Sequence, residues 1–361
     1  MSARPEVAAA RRVVLKVGSS SLTGGGAGLD LAVVERISAA ALEQRAAGRE
    51  VVLVSSGAIA AGLAPLGLTV RPRDLATLQA AASVGQLLLV QAWAAAFAAA
   101  GVTVAQVLLS AEDVARRVSY RNARTTLARL LELGAVPVVN ENDAVATAEI
   151  RLGDNDRLAA LVAHLVDADL LVLLSDVDAV YDGDPRRGPA RRIDAVRGPA
   201  DLDGAQVGGS GSVVGSGGMA TKVEAARVAA GAGLAVVVGA AIDVAGALRG
   251  EPVGTLFHPT GPRITSRRLW LAHASEPRGR VLLDAGAVTA LRERGSSLLA
   301  VGVTGVEGAF AAGDPVELVD AGSGRPVARG LAGYAAHDLP PLLGRPGATR
   351  EVVHRDDLVL L

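Results

Sequence analysis

Val51-Val52-Leu53-Val54 runs straight into Ser55-Ser56-Gly57-Ala58-Ile59-Ala60-Ala61-Gly62, and this passage decides the fold class. An apolar, largely β-branched run without polar alternation reads as a strand covered on both faces. The small residues after it read as a tight turn entering a helix. Outward from here the same alternation recurs. Candidate strands Val13 to Leu15, Val102 to Leu108, Val136 to Val139, Leu170 to Leu174 and Leu234 to Val238 are separated by Ala/Leu-rich helical stretches up to about Phe257. The pattern predicts an α/β class with a doubly wound, mostly parallel sheet. Sites in such sheets lie beyond the carboxyl ends of the strands, so the residues following each run matter most.

At 361 residues the chain exceeds what one core usually supports, and two domains are expected. After Phe257 the composition shifts through His258-Pro259-Thr260-Gly261-Pro262 and an Arg-rich patch. The expected division is a catalytic domain over 1–258, a linker over 259–278 and a small β-rich domain over 279–361. Its β-like pieces are Val281 to Leu283, Ser297 to Val301, Val316 to Val319 and Val352 to Val353. From Arg280 onward, eight Arg face ten acidic residues, with Phe310 and Tyr334 the only aromatics. Nucleic-acid binding wants a basic stripe and stacking rings, so a nucleic-acid partner is not expected. The net charge of -1 agrees.

The absence of Cys excludes thiol nucleophiles, disulfides and thiolate metal sites. The five histidines are scattered without metal spacing, and no protein-held metal is expected. No charge occurs between Asp74 and Glu112, but Gln79, Gln86 and Gln91 interrupt the run and Gly101 breaks it. A buried helix followed by a strand explains it better than a membrane span. No secretion signal is read at the start, and a cytoplasmic location fits.

Of the 36 basic residues only Lys16 and Lys222 are lysine. A lysine is a compact charge on a flexible stem, able to follow a small moving anion, whereas Arg is a planar fork for fixed partners. Lys16 ends an apolar run before Gly18-Ser19-Ser20, and Lys222 follows Ser216-Gly217-Gly218-Met219-Ala220-Thr221 at a helix start. Helix N–H groups, dipole and ammonium can converge there on a phosphate chain. This is no P-loop, because no Gly-Lys-Ser/Thr occurs.

Two acid-amide clusters bracket one strand exit, Asn140-Glu141-Asn142-Asp143 and Gly153-Asp154-Asn155-Asp156. Carboxylates accept from an ammonium while amides and helix N–H groups hold carboxylates, which suits a zwitterionic ligand. Taken alone, Asp156 reads as a helix cap, Ser56-Gly57 as an ordinary N-cap and Ser175-Asp176 as a turn former. A carboxylate acceptor needs no base, being ionised above about pH 4.3. Its difficulty is repulsion from the triphosphate, which lysines, a divalent cation and helix N-termini address.

Taken together, Leu15 to Ser20, Ser55 to Gly62, Asn140 to Ala148, Gly153 to Asp156 and Gly217 to Lys222 resemble the amino-acid kinase family over roughly the first 260 residues. The trailing domain resembles the PUA module through Glu293-Arg294-Gly295-Ser296-Ser297-Leu298-Leu299 and His354-Arg355-Asp356-Asp357. The resemblance implies ATP-dependent phosphorylation of the L-glutamate side-chain carboxylate. Lys16 and Lys222 would then neutralise the transferring phosphoryl group, oriented by Asp156 or by Asp154. Ser56, Asp143 and Asn155 would hold glutamate, with Asn140 and Asp154 as neighbours. Lys16, Ser175, Asp176 and the Ser216 to Lys222 loop (Gly217, Gly218, Met219, Ala220 and Thr221 included) would hold ATP. Mg2+ would be held mainly through the nucleotide phosphates. Feedback inhibition by L-proline and a homo-oligomer are implied as well. Ser216 stands where the family pattern has Thr, which keeps the hydroxyl. Other readings are a sister kinase for acetylglutamate, aspartate or a nucleoside monophosphate, and an RNA-binding sensor.

Overall fold

The computed structural model describes residues 4–24, 28–110, 113, 117–145, 155–185, 188–202, 218–261, 271, 277–344 and 350–361. The chain forms two compact units, one of residues 1–113 with 121–263, the other of 264–361 with 114–120.

The first unit is built on β1 (Arg12–Val17), β2 (Glu50–Ser55), β3 (Val104–Leu109), β4 (Val136–Glu141), β5 (Leu170–Ser175), β6 (Val180–Tyr181), β7 (Arg192–Ile193), β8 (Ala195–Val196), β9 (Ala235–Ala240) and β10 (Thr255–Phe257). Its main sheet has the order β3-β4-β2-β1-β5-β9-β10-β8. The six longest strands are those expected from sequence, and their neighbours pair in parallel from β3 to β9. The β9–β10 step is antiparallel. Val14, Val52, Val138, Val172 and Val237 are fully buried, as the unalternating apolar runs require. β1, the central strand, lies between β2 and β5, with Lys16 opposite Val54 and Leu173.

The charge-free stretch forms the helix Leu75–Ala98, capped by Asp74, whose side chain accepts from Thr77 N. By length and composition it could cross a membrane. One side of it buries Leu89, Trp93 and Phe97 completely in the core beside β1 and β2. It packs extremely closely on the helix Ala58–Leu63. A Cβ on Gly62 would collide with the Ala81 backbone, and one on Gly85 with the Ala58 carbonyl. Gly85→Ala should therefore lower stability by about 1–3 kcal/mol through overpacking, measured by urea unfolding. Gly231→Ala, where a Cβ meets nothing within 4 Å, should change stability by less than ~0.5 kcal/mol.

The second unit holds the sheet β12-β11-β13-β14-β15, with β11 at Gly279–Leu283, β12 at Val303–Gly308, β13 at Pro315–Asp320, β14 at Pro326–Leu331 and β15 at Leu358–Leu360. Val281, Leu283, Val316, Leu318 and Val353 fill its core. The expected strand over Ser297 to Val301 is not one. Leu298 and Val353 share a single bridge, and Ala300–Gly302 is a 3-10 turn. The strand starts at Val303 instead, at the sheet edge, where its two glycines and exposed face give little apolar signal.

Candidate functional site

Four parallel strands end on one side of the first unit, and their exits carry the site. Lys16 lies in β1 just before Gly18, and its side chain is buried. The helix Asn155–Leu165 is almost wholly apolar and buried, with Asp156 in its first turn. Asp156 is completely buried. Lys16 Nζ lies 2.5 Å from Asp156 Oδ1. Lys222 Nζ donates to Asp156 Oδ2 at 2.9 Å. Thr221 Oγ1 donates to the Gly218 carbonyl at 2.8 Å and lies 3.3 Å from the same Asp156 oxygen. Lys222 occupies the first turn of Met219–Gly231, whose N-cap is Gly218. Two segments more than 200 residues apart in sequence thus deliver the chain's two lysines to one carboxylate.

Burial alone would push the Asp156 carboxyl up, but the Lys16 and Lys222 charges and their hydrogen bonds hold it below the usual carboxylate range. A depressed pKa stabilises the fold at every pH above the unfolded value of about 3.9, and this contribution is lost as pH falls through the lower folded value. The Asp156 carboxylate is therefore ionised across neutral and mildly acidic pH. Two ammonium groups against one carboxylate leave a net positive charge facing the β1 exit, a setting for an anion.

One residue earlier, Asn155 Nδ2 reaches Ser56 Oγ at 2.7 Å, Asn140 Oδ1 at 3.0 Å and the Ser55 carbonyl at 3.2 Å. Asn140 Oδ1 also accepts from Glu141 N at 2.9 Å. Ser56, Asn140 and Asn155 therefore form one polar cluster beside the lysines. Gly57, with φ 94°, turns the chain from β2 into the next helix, a conformation that suits glycine. Asp143 lies in the turn after β4, half-buried. Ser175, at the end of β5, closes its own turn by accepting from Val177 N at 2.9 Å, and Asp176 follows it exposed. Gly218, Met219 and Ala220 form the entry to the Lys222 helix. Asp154, Ser216 and Gly217 lie outside the described residues.

Two contacts were not anticipated from the sequence. Trp93 Nε1 donates to Ser55 Oγ at 3.1 Å, and Asn140 Nδ2 donates to Gln86 Oε1 at 2.7 Å. The available signal was Gln86 itself, an amide in a charge-free apolar helix that must find partners once buried. Among the described residues no group of three or more His, Asp or Glu side chains could hold a metal ion.

The model for "Amino acid kinase family" matches residues 11–240, which span every one of these elements. The chain belongs to the amino acid kinase family. As a member of that family it also carries a "PUA domain" match over residues 279–349. A protein of Frankia casuarinae named glutamate 5-kinase is 62% identical over 99% of this chain and 99% of its own length. One of Streptomyces coelicolor with the same name is 60% identical, again over 99% of each. In fold the chain is similar to a carbamate kinase from Giardia lamblia bound to AMP-PNP, with a TM-score of 0.50, 20% identity and coverage of 70% of this chain and 99% of the other.

Proposed function

We propose that the chain is a glutamate 5-kinase, transferring the γ-phosphoryl group of ATP to the side-chain carboxylate of L-glutamate and forming L-glutamyl 5-phosphate, the first step of proline biosynthesis. Relatives at 53–62% identity over nearly the full chain bear that name. The observation that carries the chemistry is the pair Lys16 and Lys222 held on the buried Asp156, next to the Ser56–Asn140–Asn155 cluster.

In this reading the nucleophile is already ionised and no base is needed. The barrier is charge repulsion as carboxylate approaches triphosphate. Lys16 and Lys222 meet the transferring phosphoryl group from two sides, and Asp156 keeps both ammonium groups in place without becoming a ligand itself. The entry turn of the helix Met219–Gly231, with Gly218 to Thr221, presents N–H groups to the phosphates, while Ser175 and Asp176 border the nucleotide. Ser56, Asn140, Asp143 and Asn155, with Asp154, hold glutamate. Mg2+ would be held mainly through the nucleotide phosphates, whose charge it would neutralise. In this reading the kinase domain spans 1–258, a linker 259–278 and a PUA-like domain 279–361, in a cytoplasmic homo-oligomer that proline inhibits at or near the glutamate site.

The test mixes the chain, Mg-ATP and candidate acids with hydroxylamine, which traps acyl phosphates as hydroxamates. Hydroxamate is expected with glutamate, suppressed by added L-proline. Product with aspartate or acetylglutamate and none with glutamate would sink the reading.

A further inference from the structure

We propose that Gln86, one layer behind the Ser56–Asn140–Asn155 cluster, is a positioning residue that holds the Asn140 and Asn155 amides in place at the glutamate site; this rests on the glutamate reading above. Gln86 is buried on the helix Leu75–Ala98, which the Gly62–Gly85 contact brings hard against the residues following β2. Its Oε1 accepts from Asn140 Nδ2 at 2.7 Å, and Asn140 Oδ1 in turn accepts from Asn155 Nδ2 at 3.0 Å.

The direction of this chain is pinned at both ends by main-chain groups, whose roles are fixed. Glu141 N can only donate, so the Asn140 atom 2.9 Å away is the carbonyl oxygen and its amide nitrogen faces Gln86. The Ser55 carbonyl can only accept, so the Asn155 atom 3.2 Å away is the nitrogen. Two consequences reach the substrate. Ser56 Oγ accepts from Asn155, which leaves the Ser56 hydroxyl proton to donate elsewhere, to a substrate carboxylate. Asn155 Oδ1 is buried and has no hydrogen-bond partner among the described residues, an acceptor suited to the substrate ammonium.

Removing the Gln86 acceptor leaves Asn140 Nδ2, in a side chain only 1% exposed, without its partner. Turning the Asn140 amide to relieve this would set its nitrogen against both Glu141 N and Asn155 Nδ2, donor against donor. Because turning is barred, Asn140 would instead shift toward a new partner and carry Asn155 with it, displacing the glutamate site, while the lysine triplet, which shares no bond with Gln86, would keep its geometry.

The experiment compares steady-state kinetics and thermal unfolding of the full chain with Gln86→Met, Gln86→Asn and Leu89→Val. Met keeps the length without the acceptor, and Asn withdraws it by one methylene. Leu89 is fully buried on the same helix and has no polar contact, so it reports packing alone. Both Gln86 variants should raise the KM for glutamate at least ~10-fold and leave the KM for ATP within ~2-fold. Leu89→Val should lower the melting temperature without moving the glutamate KM. Wild-type glutamate KM in a folded Gln86 variant, or an equal rise in Leu89→Val, would overturn the proposal. A wild-type chain that makes no glutamyl hydroxamate would overturn the glutamate reading, and this inference with it.

Discussion

Asp156→Asn should lower kcat at least ~100-fold and destabilise the free chain by about 3–5 kcal/mol, the cost of removing one member of a buried ion pair. The side chain is completely buried and meets Lys16 at 2.5 Å and Lys222 at 2.9 Å. An amide of the same shape keeps the packing but leaves two ammonium groups facing each other without a counter-charge. They must separate, lose a proton, or draw in an anion. Mg-ATP supplies that anion, so it should raise the melting temperature of the variant more than that of the wild type. Urea unfolding and a melting series with nucleotide measure both effects. Equal nucleotide shifts would place Asp156 outside the phosphate field.

The second large effect is expected from Lys222→Arg and Lys16→Arg. Each keeps the charge and changes the shape, and each should lower kcat by about 10²–10³-fold, the usual loss when one transition-state donor is displaced. Both side chains are nearly inaccessible, with 4% and 9% of their surfaces exposed for Lys16 and Lys222. A planar guanidinium in that space must displace Asp156 or the incoming phosphate. The chain uses Arg at every other basic position, so its two lysines mark sites that need a compact, movable charge. Turnover near wild type in either variant would make their survival an accident of composition.

Much of this was legible in the sequence, for physical reasons that differ by element. The six long strands announced themselves because strands covered on both faces carry unbroken Val/Leu runs. The short strands β6, β7, β8 and β10, two or three residues each, carry no such signal, and the antiparallel β9–β10 step followed from none. In the second unit the register of β12 was lost because its glycines and exposed face offer no period. Asn140, Asn155 and Ser56 were found as separate clusters following β4 and β2. That one amide bridges them, at 2.7 and 3.0 Å, is a matter of how the helix Asn155–Leu165 lies over the sheet. Spacing could not choose between Asp154 and Asp156 as the residue that orients the lysines. The helix turns the Asp156 carboxylate inward between the two ammonium groups, and Asp154 lies outside the described residues. Gln86 and Trp93 escaped because partners more than 30 residues away in sequence give no local pattern.

The most direct measurement follows the oxygen atoms. Glutamate carrying 18O in its side-chain carboxylate is turned over with unlabelled Mg-ATP in the presence of hydroxylamine. If that carboxylate attacks the γ-phosphorus, the acyl phosphate contains a labelled bridging oxygen, and hydroxylamine, attacking the carbonyl carbon, releases phosphate that carries it. The account predicts phosphate with one 18O atom for every hydroxamate formed. Phosphate free of label, with ATP consumed, would mean that water and not glutamate is the acceptor at the lysine pair.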